Sequence, residues 1–125
     1  LGNHDFNYGM PYLESYLNAL RARCVCQNIR WDGAGVRFPA CIHTLENGLR
    51  IGIVGIVTDF VNIWERPEHL SVSTISDPIP AAAAALEELR GKTDLNLCVY
   101  HGGFERELTT GRVLSSTHEN VAYRI

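Results

Sequence analysis

Gly2-Asn3-His4-Asp5 sets an amide oxygen, an imidazole and a carboxylate on consecutive residues, and Phe6-Asn7-Tyr8-Gly9 follows directly. Those groups side by side on a turn are what a metal or phosphate site uses. The same residues also suit an ordinary capping turn, because Gly2, Asn3, Asp5, Asn7 and Gly9 favour turns and Pro11 fits a first helical turn. A second cluster, His101-Gly102-Gly103, stands at the end of the apolar run Leu95 to Tyr100. His-Gly-Gly also occurs in the oxyanion loop of lipase-like hydrolases, but that chemistry needs a Gly-x-Ser-x-Gly elbow, and the sequence has none. His43, His69 and His118 read as surface or structural residues. Trp64, in a Pro-containing irregular stretch, is a candidate for lining a cleft. Tyr12 and Tyr16, at helical spacing, read as core.

The elements that must position these groups follow from periodicity. Tyr12, Leu13, Tyr16, Leu17 and Leu20 predict a helix over Met10 to Leu20. Cys24 to Ile29 reads as a short strand, broken by Trp31-Asp32-Gly33 and Gly35. Phe38 to Thr44 and Leu49 to Val57 flank Glu46-Asn47-Gly48, a hairpin signal. The second of these strands is apolar on both faces and is expected to be central and buried. Asp59 to Ser73 is expected to be irregular. Asp77-Pro78 caps a helix that ends at Gly91, and Leu95 to Tyr100 reads as another buried strand that delivers His101. Ser116-x-x-Glu119 predicts a capping box opening a helix toward Ile125. Alternating strands and helices indicate an α/β architecture in one domain, residues 1–125, with ligands gathered beyond the carboxyl ends of the strands.

Composition excludes several classes. The 125 residues are 46% hydrophobic and 20% charged, which is ordinary for a globular domain. A formal charge of −3 with no basic run removes the footprint expected for a nucleic-acid polymer. The longest apolar run is too short for a membrane span. The spacing of Cys24 and Cys26 is neither a zinc-knuckle nor a redox motif. With Cys41 and Cys98 they leave buried thiols, disulfides or metal ligation open.

Taken together, GNHD, a helix, a hairpin, a crossover helix and a strand ending in His-x-Gly resemble the calcineurin-like metallophosphoesterases. GNHDFNYGMPYL, RIGIVGIVTDFVNIWE and THENVAYRI resemble the 5′-nucleotidase branch, and within it the 2′,3′-cyclic-nucleotide 2′-phosphodiesterase/3′-nucleotidases. The likeness covers essentially the whole chain. It implies an α+β sandwich, part of a four-layer fold truncated at both ends. It also implies two divalent metals, Mn, Zn, Fe or Mg. Of the family's five ligand motifs only Gly-Asn-His-Asp and the lone His after a strand are present. By that resemblance Asn3 and His101 ligate one metal, His4 contacts the phosphate as acid or charge stabiliser, and Asp5 and Asn7 order the loop. Where the 5′-nucleotidase pattern has an Asp that gives the motif His a charged partner, Asn7 offers only an amide, as in the cyclic-phosphodiesterase branch. The resemblance further implies an extracytoplasmic setting.

Hydrolysis of a phosphate ester needs a nucleophile at neutral pH and cover for the charge on the phosphoryl oxygens; two metals about 3.5–4 Å apart supply both. Asn3 and His101 are too few ligands for such a centre, so the isolated chain is expected to be inactive and the intact parent to act on cyclic nucleotides or 3′-nucleotides. A 5′-nucleotide or nucleotide-sugar substrate, and a metal-free scaffolding remnant, are the alternatives. The exposed edge of a truncated sheet is expected to allow pairing with a second copy.

Overall fold

The run from Ile51 to Val57 offers no polar face, so it needs cover on both sides. A computed structural model, describing residues 1–32 and 38–125, shows how that cover is supplied; the expected break at Gly33 and Gly35 lies outside the described residues. Along the chain, a 3₁₀ turn over Asn3–Phe6 leads into α1 (Met10–Ala19), β1 (Ile29–Trp31), β2 (Cys41–Thr44) and β3 (Arg50–Val57). Then come α2 (Val61–Trp64), a 3₁₀ turn over Pro67–His69, β4 (Ser73–Ile75), α3 (Pro78–Leu89) and β5 (Leu95–His101). β3 is the middle strand of a sheet ordered β2-β3-β5, antiparallel to β2 and parallel to β5, with Val57 beside His101. β1 and β4 form a separate antiparallel pair.

Alternate β3 residues feed two cores. Val54 and Ile56 pack with Ala82, Ala85 and Leu89 of α3. Val57 packs with Phe6, Met10, Leu13, Cys26, Phe38, Val61, Leu70 and Ile75. The run of alanines on α3 therefore lets helix and sheet approach closely. Asp77 caps α3 by accepting the Ile79 N–H at 2.9 Å, and Gly91, with φ of 72°, follows its end.

Several expectations change. Cys24 to Ile29 is not a strand: only Ile29 joins β1, with Arg30 and Trp31. The residues before it finish β3 by another route. β2 ends opposite Ile53, and beyond that point side-chain amides take over the ladder. The Gln27 N–H donates to the Gly55 carbonyl at 2.8 Å, and Gln27 Oε1 accepts the Gly55 N–H at 2.7 Å. Asn28, fully buried, accepts the Val57 N–H at 3.0 Å and donates to the carbonyls of Val57 and Ser76 at 2.7 and 2.9 Å. An amide side chain carries the same donor and acceptor as a peptide, so two polar residues replace a strand where the backbone turns away.

Asp59 to Ser73 is more ordered than expected, since it contains α2, the second 3₁₀ turn and the start of β4. The regular part of the first hairpin strand is only Cys41–Thr44. β5 is central in its sequence pattern but not in the fold: among the described residues it pairs only with β3, and Leu95, Leu97 and Val99 are exposed. Tyr12 and Tyr16 also face outward, with Met10 and Leu13 supplying α1's core face. No helix opens at Ser116. The Glu119 carbonyl instead accepts Thr58 Oγ1 at 3.0 Å and the Tyr100 hydroxyl at 3.3 Å, which ties the segment across the end of the sheet. All four cysteines are free. Burial pushes the Cys26 thiol up to about 12 and raises those of Cys24 and Cys98, so these three remain protonated thiols near neutrality. Cys98 differs from Cys26 in being exposed on β5.

Candidate active site

The two chemical clusters of the sequence, nearly a hundred residues apart, meet at one rim. Parallel pairing carries β5 to the level of Val57, and the Thr58 N–H donates to the His101 carbonyl at 2.9 Å, fixing the strand end. Thr58 is buried, and its hydroxyl also accepts the Phe60 N–H at 3.3 Å. From this end the His101 side chain projects to the Gly-Asn-His-Asp turn, where Nε2 stands 2.9 Å from Asn3 Oδ1.

Glycine makes the approach possible. A Cβ on Gly2 would lie 2.8 Å from Cε1 of His101, so no larger residue fits beneath the ring without moving it. Gly102 and Gly103 have similar reasons: their Cβ atoms would meet the Tyr100 ring at 2.1 Å and the Asn120 side chain at 2.5 Å. The turn itself is closed by Asp5, whose Oδ2 accepts the Gly2 N–H at 2.7 Å. That bond spends Asp5 on loop geometry. Phe6, wholly buried, anchors the turn in the core. His4 is exposed, with Nδ1 3.1 Å from Asn7 Nδ2; an Asn7 donor there leaves the neutral imidazole with its proton on Nε2.

Two cavities flank this turn and share Asn3 and Trp64. Asn3, His4, Asn7, Val61, Trp64 and Glu65 line one of about 290 Å³. His101, Gly102, Gly103, Thr58 and Asn120 help line the other, of about 310 Å³. Trp64 is 50% exposed and held edge-on by Phe60 at a centroid distance of 5.8 Å. Asn3, His4, Asn7, Trp64 and His101 are thus brought to one place. His43, on β2, is exposed and lies elsewhere; His69 pairs with Glu65 at 2.8 Å, and His118 lies 3.2 Å from Arg124. Sequence reasoning missed Thr58, Asn120 and Glu65. Only Glu65 carries a signal, the i, i+4 spacing to His69.

The Asn3–His101 pair suits one edge of a metal's coordination shell. Two ligand atoms each about 2.1 Å from an octahedral ion stand about 3 Å apart, and Oδ1 and Nε2 are 2.9 Å apart. An amide oxygen with an imidazole nitrogen is a borderline donor set. Among the described residues no cluster of three His, Cys, Asp or Glu side chains completes a centre.

No protein-family model matches the chain. Over 86% of its length it is 27% identical to the 2′,3′-cyclic-nucleotide 2′-phosphodiesterase/3′-nucleotidase of Salmonella typhimurium. Over the same share it is 25% identical to the trifunctional nucleotide phosphoesterase YfkN of Bacillus subtilis. A crystal structure of a candidate 5′-nucleotidase from Staphylococcus aureus, in complex with alpha-ketoglutarate, matches 98% of the chain with a TM-score of 0.88 and 33% identity. Over 86–98% of its length the chain is similar to nucleotide phosphoesterases and 5′-nucleotidases of the calcineurin-like fold. The fold of the calcineurin-like phosphoesterase YfkN, at 22% identity and a TM-score of 0.76, agrees. The chain spans 18% of the Salmonella relative, 8% of YfkN and 24% of the Staphylococcus structure. This share of the calcineurin-like fold is the mixed α/β layer that carries Asn3 and His101 on one rim.

Proposed function

We propose that the protein carrying this chain is a metal-dependent phosphoesterase that hydrolyses nucleotides, with 2′,3′-cyclic nucleotides or 3′-nucleotides as substrates. The observation that supports it most is the 2.9 Å approach of Asn3 Oδ1 to His101 Nε2 across 98 positions of sequence. Asn3 and His101 would hold one divalent metal through those atoms, as Mn, Zn, Fe or Mg. A divalent ion held there would supply Lewis-acid chemistry, water activation at neutral pH and cover for charge on the phosphoryl oxygens.

The chain's own residues supply the rest. Asp5 and Gly2 hold the turn so that Asn3 and His4 present their side chains together. With its proton on Nε2, His4 donates to a phosphoryl oxygen or to the departing alkoxide. Asn7 orients that ring as an amide, a neutral partner. Trp64 offers an apolar wall beside the same cavity. The names of the sequence relatives favour the cyclic and 3′ substrates. The likeness to a candidate 5′-nucleotidase supports a 5′-nucleotide as the second reading. Relatives that include a 5′-nucleotidase precursor support an extracytoplasmic setting, and no helix among the described residues is long and apolar enough to cross a membrane.

The test uses the full-length protein carrying this sequence. His101→Ala is expected to lower Mn²⁺ affinity, read by calorimetry, together with turnover. His4→Ala is expected to lower turnover at least a hundredfold, in line with general acid catalysis, with Mn²⁺ binding retained. Loss of Mn²⁺ binding in His4→Ala would overturn the division of roles.

A further inference from the structure

The cavity beside His4 contains one carboxylate, and the phosphate chemistry leaves it without a task. Glu65 lines that cavity with Asn3, His4 and Trp64, and its side chain is only 12% exposed. One oxygen is committed: Oε1 accepts the Arg66 N–H at 2.9 Å and pairs with His69 Nδ1 at 2.8 Å. Oε2 takes no hydrogen bond from any described residue, yet it is not among the polar atoms sealed from solvent without a partner. Burial works against ionisation of Glu65, but the Arg66 N–H and the His69 ring outweigh it and hold the carboxyl below its ordinary value.

A fixed anionic oxygen repels a phosphate and favours a donor hydroxyl. Trp64 next to it, half exposed and fixed by Phe60, gives an apolar face against which a sugar ring can lie. His4 also borders a smaller cavity of about 150 Å³ with Tyr8, Tyr12 and Tyr16, but neither Asn3 nor His101 lines it. The side of His4 that shares Asn3 is therefore the side on which an ester bound at the Asn3–His101 rim continues.

Resting on the function proposed above, we infer that Glu65 Oε2 accepts a hydrogen bond from a ribose hydroxyl of the substrate seated against Trp64, so that Glu65 selects nucleoside esters over simple phosphate esters. His69 and the Arg66 N–H are the positioning groups that aim it.

Glu65→Gln in the full-length protein tests this, because the amide keeps an oxygen for Arg66 and His69 while replacing the free oxygen with a donor. With adenosine 3′-monophosphate, kcat/KM is expected to fall about tenfold, the worth of one hydrogen bond to a charged group. With p-nitrophenyl phosphate it is expected to stay within about twofold, since that ester engages no sugar subsite. An equal fall on both esters, or no fall on the nucleotide, overturns the inference. Equilibrium binding of adenosine, which carries the hydroxyls and no phosphate, reads the same contact without hydrolysis. Glu65→Gln is expected to weaken it, and unchanged or absent adenosine binding overturns the inference too. A wild-type protein that binds adenosine but hydrolyses neither ester would overturn the proposed function alone. His69→Ala removes the partner of Oε1 and leaves Oε2. It should lower the preference for the nucleotide part of the way, with p-nitrophenyl phosphate turnover kept, and an unchanged preference would overturn the positioning role of His69.

Discussion

β3 and β5 run parallel from Ile51–Leu95 to Val57–His101, and their two ends are finished in opposite ways. At the amino end the charged side chains answer one another. Arg50 donates through its N–H, Nε and Nη2 to the two oxygens of Asp94 at 2.8, 3.2 and 3.0 Å, and the Asp94 N–H returns to the Arg50 carbonyl at 2.8 Å. At the carboxyl end the backbone is equally well held, by Thr58, Gln27 and Asn28, but the side chains are not consumed. His101 is exposed, and among the described residues its side chain is answered only by Asn3. One end is closed by its own chemistry, and the other is a rigid frame with donor atoms left over. That asymmetry is what a binding rim at the carboxyl ends of parallel strands requires.

The largest expected effect comes from removing the frame. Asn28→Ala deletes four bonds, one of them from the Cys26 thiol, and leaves the Val57 N–H and carbonyl unpaired in the core and the Ser76 carbonyl unpaired at its margin. A loss of about 3 kcal/mol in urea unfolding is expected from leaving buried polar groups unsatisfied. Amide exchange should rise more at Val57 and His101 than at Ile51 and Leu95. A uniform rise along both strands would erase the distinction between the ends.

Next in size is Gly2→Ala, which acts on the leftover donors and not on the frame. The new methyl would press on the His101 ring at 2.8 Å. The ring must turn away from Asn3, so the imidazole resonances of His101 should shift while stability falls by about 1 kcal/mol. Unmoved His101 resonances would mean that the turn gives way instead.

These two residues also mark what the sequence could reveal. α1, α3, the Asn47-Gly48 hairpin and β3 were legible because caps, turn residues and unbroken apolar runs are local signals. The work of Gln27 and Asn28 was not, since side-chain amides that stand in for a strand obey no period. β5 has the same composition as a buried strand, and only its pairing, with β3 alone among the described residues, sets it at an edge. Ser116 and Glu119 have capping-box spacing, yet the Glu119 carbonyl is drawn to Thr58 and Tyr100. At the site, the resemblance alone set Asn3 and His101 at one metal; their spacing does not encode the meeting, which depends on the parallel crossover. Glu65 escaped notice because its role depends on which of its oxygens is left over.

A smaller effect belongs to the closed end. Arg50 beside Asp94 holds that carboxyl below its ordinary value, chiefly through their side-chain hydrogen bonds. A depressed carboxyl contributes stability that is present in full above its unfolded value and is lost as pH falls through the folded one. The gap in Tm between wild type and Asp94→Asn should therefore be constant from neutrality to about pH 4 and close below it, the ordinary Asp range. The pair is exposed, so the gap is small and shrinks in salt. A gap that widens on acidification would contradict the assignment.

The smallest effect concerns β5 itself, between the two ends. Its outer edge has no partner among the described residues, and Leu95, Leu97 and Val99 lie exposed on the same face as Ile51 and Ile53. Such an edge templates another strand, and nothing charged on LNLCV opposes it. The isolated chain is expected to associate weakly and reversibly with a second copy through this edge, as read by sedimentation at rising concentration under reducing conditions. Leu97→Lys places a charge at the middle of the strand and should return the chain to a monomer, with the Arg50–Asp94 end and the His101 end unchanged. Association that survives the lysine would have to run through another surface, and the exposed tyrosines of α1 would be the next to change. A chain that stays monomeric at every concentration would show that an unpaired edge of this length is too short to hold a partner, leaving the contrast between the two ends of the strand pair untouched.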